Sequence, residues 1–192
     1  HCFATSEHGN IFDFVMKTQN LKFGEAVKSL ANLAGMRPYT FSKQDEEREK
    51  SWREYCTIYN QYVQFYHNEI LRNEKLDIAR DYLKKRSLTK NEVKNFKIGY
   101  VERDSTFYKK LKDEFSEKVL QESGLFYLDE KKNIYVERFR DRIIFPINNI
   151  SGQPIGLGGR AIQENNYSAK YINSPETPFF KKGSNLYNLD LA

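Results

Sequence analysis

A stripe of large apolar side chains between residues 52 and 70 constrains the fold of this chain more than any other feature. The side chains recur every three or four residues: Trp52, Tyr55, Tyr59, Tyr62, Val63, Tyr66 and Ile70. This spacing places them on one face of an α-helix. Aromatic side chains can also stack on nucleic-acid bases, but helical periodicity is typical of a buried face. We therefore predict a long helix whose aromatic face enters the core.

Helical signals dominate the first two thirds of the chain. Asn10 can cap a first helix, and a second helix is expected from Phe23 to Ala34 with Gly35 at its end. Another helix is predicted from Leu76 to Leu88. Further helical signals are the capping-box pair Thr89 and Glu92, residues 105–115 and residues 116–123.

Strand signals dominate the last third. Short apolar runs predict strands there at residues 134–136, 142–147, 154–162 and 170–173, and two earlier strands are predicted at residues 97–101 and 127–128. Residues 148–152 have the composition of a turn between two of these strands. A helical half followed by a β-rich half predicts an α+β fold.

The composition divides the chain into three parts. We expect residues 1–36 to form a compact N-terminal piece and residues 51–192 to form the main domain. Residues 37–50 contain almost nothing apolar, so we interpret them as a linker whose charged end enters the long helix. The chain begins at His1 rather than Met, and we expect its true N-terminus to be missing.

Cysteine usage and hydropathy indicate the cellular compartment. Cys2 and Cys56 are too few and too far apart for a disulfide framework, so a reducing, cytoplasmic setting is expected. No run approaches the roughly 20 apolar residues that a membrane span needs. The net charge of +5 is compatible with a polyanionic partner.

The last third of the chain carries candidate phosphate-binding residues. From residue 131 onward, nine lysines and arginines stand against five acids, a net charge of +4. In the run Gly156–Arg160, three glycines precede an arginine. Glycine lets a backbone approach a phosphate closely, and a guanidinium can bind that phosphate with two hydrogen bonds. The alternative is a strand with a bulge and a surface arginine.

A second candidate run is Lys170–Thr177, which offers a cation, an aromatic ring and an amide in Lys170, Tyr171 and Asn173. Such a set suits a nucleotide or a single strand of nucleic acid. The alternative is a solvated strand edge. No Ser/His/Asp set, P-loop or carboxylate pair in the sequence indicates another catalytic chemistry.

Taken together, these runs resemble the bacterial replicative DNA primase family. They occur in the family's order as Tyr82–Arg86, Ile98–Tyr100, Arg138–Ile147, Ile155–Arg160, Lys170–Thr177, Lys182–Gly183 and Leu186–Tyr187. At the other end of the chain, three runs resemble the end of the family's zinc module, namely His1–Phe3, Gly9–Asn10 and Phe23–Val27. The resemblance covers essentially the whole chain.

The resemblance implies synthesis of short RNA primers on a single-stranded DNA template from ribonucleoside triphosphates. It also implies a replicative helicase as a partner of the whole protein. The family's template and nucleotide contacts fall on Arg86, Arg160, Lys170, Tyr171, Asn173 and Lys182, with Arg138 and Arg140 as neighbours. The family's catalytic acids and magnesium lie in a Toprim fold, which we expect just past Ala192. Residues 51–192 would then be the N-terminal subdomain of the RNA polymerase domain, without catalytic residues of their own.

Two positions depart from the family's pattern. The family has glycine after the arginine of the Tyr82–Arg86 run, where this chain has Ser87, and a positive φ would suit serine less well. The zinc module expects a second cysteine three residues after Cys2, where this chain has Thr5. Cys2 and His8 are then the candidate zinc ligands. The alternative is that Cys2 is an ordinary small buried residue.

Two other classes of function use similar residues. A non-catalytic module that only binds single-stranded nucleic acid would carry the same arginines and aromatic rings. An interaction domain with a solubilising basic surface would show absent or salt-insensitive DNA binding.

Overall fold

The computed structural model describes residues 9–36, 42–163 and 169–191. The chain forms two compact units, residues 1–50 and residues 51–192. Within the three described ranges, no helix combines the length and the apolarity that a membrane span requires.

The first unit is helical. It contains α1 (Ile11–Gln19), α2 (Phe23–Leu33) and the beginning of α3 (Lys43–Arg72). The predicted cap of α1 is confirmed, because Asn10 Oδ1 accepts hydrogen bonds from the amides of Phe12 (2.8 Å) and Asp13 (3.1 Å). The charged end of the predicted linker is helical from Lys43, where Ser42 and Asp45 form reciprocal capping bonds.

The second unit holds short helices and strands. After α3 its helices are α4 (Asp77–Lys85), α5 (Lys90–Asn95), α6 (Phe107–Leu111) and α7 (Glu117–Glu122), with 3₁₀ turns at Glu74–Leu76, Lys182–Ser184 and Leu189–Leu191. Its strands are β1 (Gly99–Val101), β2 (Phe126–Asp129), β3 (Ile134–Glu137), β4 (Arg142–Asn148), β5 (Pro154–Ala161) and β6 (Tyr171–Asn173). Strands β1, β4, β5 and β6 form an antiparallel sheet in the order β1-β4-β5-β6, and β2 pairs with β3. The predicted α+β class is confirmed.

The helix predicted over residues 105–115 is shorter than expected. It runs only from Phe107 to Leu111. Its start is displaced because Ser105 Oγ and the Phe107 amide both donate to the carboxylate of Glu137, at 2.6 and 3.1 Å. These two hydrogen bonds join residues 32 and 30 positions apart, so a local sequence pattern does not predict them.

The sheet buries both of its faces. Ile144 of β4 and Leu157 of β5 pack into the main core around α3, whereas Ile143 packs into a second cluster with Leu83 of α4 and Val93 of α5. Successive residues of a strand point to opposite faces. The cross-strand row that contains Ile143 therefore lies on the α4 side of the sheet.

The aromatic stripe of α3 enters the core as predicted. Tyr55, Tyr59, Tyr62 and Tyr66 are all at least 96% buried. Their hydroxyl groups bond to distant segments of the chain, because a buried hydroxyl without a partner would be costly. Tyr55 Oη donates to the Ile155 carbonyl at 2.7 Å, and Tyr59 Oη donates to the Ser123 carbonyl at 2.9 Å.

Glu137 is a carboxylate buried in the same core, with 1% of its surface exposed. Tyr62 Oη donates to its Oε2 at 3.2 Å, and Tyr66 Oη donates to the same oxygen. Burial raises the pKa of Glu137, and hydrogen bonds from Ser105, Tyr66, Tyr62 and the Phe107 amide oppose that rise. Burial likewise raises the pKa of Tyr62, so this hydroxyl stays neutral and donates.

Candidate nucleic-acid interface

Arg160 of β5 lies between two tyrosine rings. Its Cζ lies 4.7 Å from the ring centroid of Tyr171 and 5.7 Å from that of Tyr82, and its Nε donates to the Tyr82 hydroxyl. The sheet register explains the contact with Tyr171, since Arg160 and Tyr171 are direct cross-strand partners of β5 and β6. The contact with Tyr82 comes from helix α4, which packs on the same face of the sheet.

The row through Arg160 crosses the whole sheet. Tyr100 pairs with Ile143, Ile143 pairs with Arg160, and Arg160 pairs with Tyr171. Cross-strand partners share a face. The buried end of this row packs in the second cluster, while Tyr171 at the sheet edge is 59% exposed. The row therefore fixes Arg160 at the boundary between the core and the solvent.

Arg86 joins the same site through Tyr82. It occupies the C-cap of α4, and its Cζ lies 5.6 Å from the Tyr82 ring centroid. Ser87 follows in the left-handed region at φ 62°, as the family's glycine at this position suggested. Tyr82 thus contacts two of the predicted site residues. No role was predicted for Tyr82 from the sequence, although it stands in the Tyr82–Arg86 run. It precedes Arg86 by four residues, a spacing that brings side chains together on a helix.

The remaining residues predicted for this region lie nearby in sequence but differ in their setting. Asn173 of β6 is exposed and pairs with Gly158, on the same face as the pair of Arg160 and Tyr171. Lys170 is exposed and precedes β6, and its carbonyl accepts the Ala161 amide at 3.0 Å. Lys182 is exposed at the start of a 3₁₀ turn, where its amide donates to Glu176 Oε1 at 2.8 Å.

The glycines before Arg160 serve mainly in packing. A Cβ on Gly159 would lie 2.5 Å from Cδ1 of Phe139, and one on Gly156 would lie 2.7 Å from Cε2 of Phe180. Both rings are buried in the core. Close approach of β5 to these rings, rather than to a phosphate, accounts for the two glycines. The predicted alternative is correct that this segment is a strand, but the register shift lies between Ile147 and Asn148 and Arg160 is half-buried.

Arg138 and Arg140 lie at a different place. Arg138 is half-buried, and its Nε donates to the Gly124 carbonyl at 2.8 Å. Arg140 Nη2 donates to the Tyr127 hydroxyl at 3.0 Å. Both line a groove of about 870 Å³ that also includes Lys75, Arg103, Lys132 and Arg142, together with five acidic residues. Among the residues lining this groove, basic and acidic side chains are therefore nearly balanced.

Arg142 is a buried cation that the sequence analysis left out of the site. Only 7% of it is exposed, and its Nη1 donates to the Lys170 carbonyl at 3.4 Å. Burial lowers the pKa of its guanidinium, and the nearby Asp141 opposes that shift. The bond to the Lys170 carbonyl ties β4 to the segment that enters β6.

The candidate zinc ligands Cys2 and His8 lie outside the described residues. Within residues 9–36, 42–163 and 169–191, no group of three or more His, Cys, Asp or Glu side chains could hold a metal ion. Burial raises the pKa of the half-buried Cys56 thiol to about 11, so this side chain stays a thiol rather than a reactive thiolate at neutral pH.

By its fold and this site, the chain is an α+β protein with an arginine held between tyrosine rings on an antiparallel sheet. Residues 65–192 match the family model described as the DNA primase catalytic core, N-terminal domain, and residues 1–47 match the model of the CHC2 zinc finger. The chain therefore belongs to the DNA primase family, and the resemblance found in the sequence is confirmed.

Individual relatives agree with this assignment. The DNA primase of Lactococcus lactis is 36% identical over 194 residues, which cover 100% of this chain and 30% of the relative. The DNA primase of Geobacillus stearothermophilus is 34% identical over 198 residues, covering 100% of this chain and 33% of the relative. The chain thus spans about a third of the length of these relatives.

Solved structures show the same fold. The DnaG primase catalytic domain bound to ssDNA matches with a TM-score of 0.65 and 30% identity, over 74% of this chain and 44% of that chain. The Aquifex aeolicus primase, comprising zinc-binding and RNA polymerase domains, matches with a TM-score of 0.63 and 29% identity, over 98% of this chain and 44% of that chain.

Proposed function

We propose that this chain holds the single-stranded DNA template and the incoming ribonucleoside triphosphate during synthesis of short RNA primers. The observation that carries the proposal is the position of Arg160 between Tyr82 and Tyr171, with Arg86 on the same tyrosine. Membership in the DNA primase family supports it, as does the likeness to a primase catalytic domain that was solved with ssDNA.

Arg160 suits a phosphate ligand by its geometry. Its Nε is engaged by Tyr82, and no hydrogen bond within the described residues engages its terminal nitrogens. A planar guanidinium with two free donors can bind phosphate oxygens in a bidentate manner. The two rings hold the plane in place, so little side-chain freedom is lost when the phosphate arrives.

Tyr171 and Asn173 suit the nucleotide itself. One face of the Tyr171 ring lies against Arg160, and the exposed remainder can stack on a base. The Asn173 amide can donate and accept hydrogen bonds on the same face. Lys170 and Lys182 would add charge that neutralises phosphates. Phosphoryl transfer depends on positioning and charge stabilisation, so such contacts matter without taking part in bond breaking.

We further propose that Tyr82 is a positioning residue. It touches no substrate in this proposal, but it holds Arg160 by a hydrogen bond and both arginines by its ring. Arg138 and Arg140 would act in the separate groove, where their bonds to Gly124 and Tyr127 fix them.

We propose that the magnesium and zinc of the family bind outside the described residues. Following the resemblance, we place the catalytic acids and magnesium in the family's Toprim fold, elsewhere in the whole protein, and derive no chemical step through them. The CHC2 zinc finger match over residues 1–47 suggests zinc in the whole protein. The described residues do not supply its ligands, and Thr5 replaces one that the family expects. The RNA primer and the replicative helicase are proposed partners of the whole protein.

The domain assignment is part of the same proposal. Residues 1–36 would be the end of the zinc module, residues 37–50 a linker, and residues 51–192 the N-terminal subdomain of the polymerase domain. Taken alone, the described part of this chain would behave as a single-stranded DNA-binding module, which is the runner-up function. The two candidates differ in whether the whole protein incorporates ribonucleotides.

A salt series of fluorescence anisotropy on single-stranded DNA tests the Arg160 contact. Arg160→Ala should weaken binding across sequences and lower the log–log salt slope by about 0.7, the value for one lost phosphate contact on a single strand. Arg160→Lys should recover part of the affinity, because it keeps the charge but loses the planar fork.

The matched control is Arg48→Ala, which removes an exposed arginine from the charged run at the start of α3. It should leave both affinity and slope unchanged. A melting curve of each variant separates binding from folding. Unchanged affinity and slope in folded Arg160→Ala would refute the template contact.

A further inference from the structure

The hairpin of α4 and α5 carries a surface with a large excess of positive charge. Residues 81–97 contain six lysines and arginines against two acids, a net charge of +4, whereas the whole chain has +5. We use the name lysine face for five of them, all exposed: Lys84, Lys85, Lys90, Lys94 and Lys97. The sixth cation is Arg86, which belongs to the proposed template site.

An ordinary solvated face would balance its charges, and the chain provides an example. Residues 107–122 contain four lysines and four acids, a net charge of zero. There Lys118 pairs with Glu122 at 3.8 Å, one helical turn away. Such interleaving is typical of a surface helix whose only partner is water. The lysine face differs in its charge count, because the six cations of residues 81–97 stand among two acids, Asp81 and Glu92.

The two acids of residues 81–97 each have a partner already. Lys84 pairs with Asp81 at 3.1 Å, and this is the one ion pair that the described residues give to the lysine face. Glu92 is used otherwise, because its Oε2 accepts the Thr89 amide at 2.7 Å and so caps α5. That hydrogen bond lowers the pKa of Glu92. Crowded like charges repel one another, and a polyanion would relieve this repulsion.

The lysine face adjoins the proposed template site along the chain. Lys84 and Lys85 form the last turn of α4, directly before Arg86. Lys90 and Lys94 of α5 are four residues apart, so they share one side of that helix. Arg86 in turn contacts Tyr82, which holds Arg160. A strand bound at Arg160 and Arg86 would therefore meet the lysine face next.

We propose that the lysine face binds the phosphodiester backbone of the same single-stranded DNA beyond Arg86. This inference rests on the function proposed above and extends it to a second surface. Lysine ammonium groups act as mobile point charges without a fixed geometry. The contact is therefore independent of sequence and strongly dependent on salt, and it requires a strand long enough to reach from Arg160 to α5.

Strand length separates this surface from the template site in an experiment. Anisotropy is measured on this chain with a short oligonucleotide of about 5 nucleotides, which fills one binding site, and with a long one of about 20. The variant replaces Lys85, Lys90 and Lys94 by Gln. Its salt slope on the long strand should fall by about 2, since each lost contact contributes about 0.7. Binding of the short strand should not change.

A charge-matched control replaces Lys109, Lys112 and Lys118 by Gln, which removes three exposed lysines from the balanced surface. It should not change the binding of either strand. The proposal would be overturned if the variant of Lys85, Lys90 and Lys94 lost no more affinity than this control, or lost as much on the short strand as on the long one. Net charge alone would then explain the loss.

Arg160→Ala in the same assay separates the two ideas. It should weaken the binding of both strands if the template site is correct. Suppose that Arg160→Ala weakens the binding of neither strand, while the variant of Lys85, Lys90 and Lys94 still has a lower salt slope on the long strand alone. The proposed template site is then wrong, and the lysine face is an independent nucleic-acid surface.

Discussion

Two sets of tyrosines in the second unit use the same side chain for opposite purposes. On α3, Tyr55, Tyr59, Tyr62 and Tyr66 are buried, and their hydroxyls bond to carbonyls and to a carboxylate of the core. Around Arg160, the partly buried Tyr82 of α4 and the exposed Tyr171 of the edge strand β6 present their rings to the guanidinium. In the first set the hydroxyl groups stabilise the fold through hydrogen bonds, whereas in the second set the aromatic rings position Arg160.

The difference follows from what each set can reach. Burial raises the pKa of Tyr59 and Tyr62, so their hydroxyls remain neutral donors that must find acceptors. A half-exposed ring beside a cation gains from cation–π attraction while water still solvates the rest. We therefore expect changes in the buried set to alter stability and changes at the sheet edge to alter DNA binding.

Removal of the Glu137 carboxylate should have the largest effect. Glu137→Ala leaves four donors around it without an acceptor, those of Tyr62, Tyr66, Ser105 and the Phe107 amide. We expect the free energy of unfolding to fall by about 3–5 kcal/mol. Urea unfolding followed by circular dichroism measures it, with Glu130→Ala in the exposed β2–β3 turn as the control. A loss no larger than that of the control would show that the buried hydroxyls are satisfied otherwise.

The same residue gives a pH dependence of defined sign. Because burial raises its pKa in the folded state, Glu137 stabilises the fold most below its unfolded pKa of about 4.3. That contribution is lost as the pH rises through the folded pKa. The unfolding free energy of the wild type minus that of Glu137→Gln should therefore decrease with pH across this window. A difference that increases with pH would mean that the hydrogen bonds outweigh burial.

A substitution at Tyr82 tests the other half of the comparison. Tyr82→Phe keeps the ring beside Arg86 and Arg160 but removes the hydroxyl that accepts from Arg160 Nε. We expect DNA affinity to fall about 3- to 10-fold, the equivalent of one hydrogen bond of about 1 kcal/mol. Anisotropy on single-stranded DNA measures the change. In an Arg160→Ala background the same substitution should have no further effect, because Tyr82 acts through Arg160.

Tyr59→Phe is the counterpart in the core. It removes the bonds to the Ser123 carbonyl and the Ser174 hydroxyl, so it should lower stability and leave the affinity of the folded protein unchanged. If Tyr59→Phe weakened DNA binding as much as Tyr82→Phe does, the division between the two sets of tyrosines would fail.

Local sequence patterns predicted much of the fold. The 3.6-residue period of the stripe predicted that α3 is buried, and Asn10 and the pair of Thr89 and Glu92 marked helix starts that the structure confirms. Periodicity carries no information on which hydroxyl meets which carbonyl. The burial of Glu137 depends on partners 30 to 75 residues away, and no local pattern encodes them.

The candidate site was predicted residue by residue but not as an arrangement. The family's pattern pointed to Arg86, Arg160 and Tyr171, and the sheet register brings two of these together. The link through Tyr82 joins residues 78 positions apart in the sequence. Residues 81–97 carry a net charge of +4, equal to that of the last third, but Arg86 was the one residue among them predicted to lie in the site.

Ser87 offers the smallest and most specific test, because it lies beside Arg86 but belongs to the backbone of the α4 terminus. Its φ of 62° closes a Schellman motif, in which the Leu88 amide donates to the Leu83 carbonyl and the Ser87 amide to the Lys84 carbonyl. Ser87→Gly should raise the unfolding free energy by about 0.5–1 kcal/mol, since glycine removes the left-handed strain but gains freedom in the unfolded chain. Ser87→Ala keeps the strain and should bring no gain. DNA affinity should not change in either variant; a loss in Ser87→Gly alone would mean that a stiff turn is needed to aim Arg86.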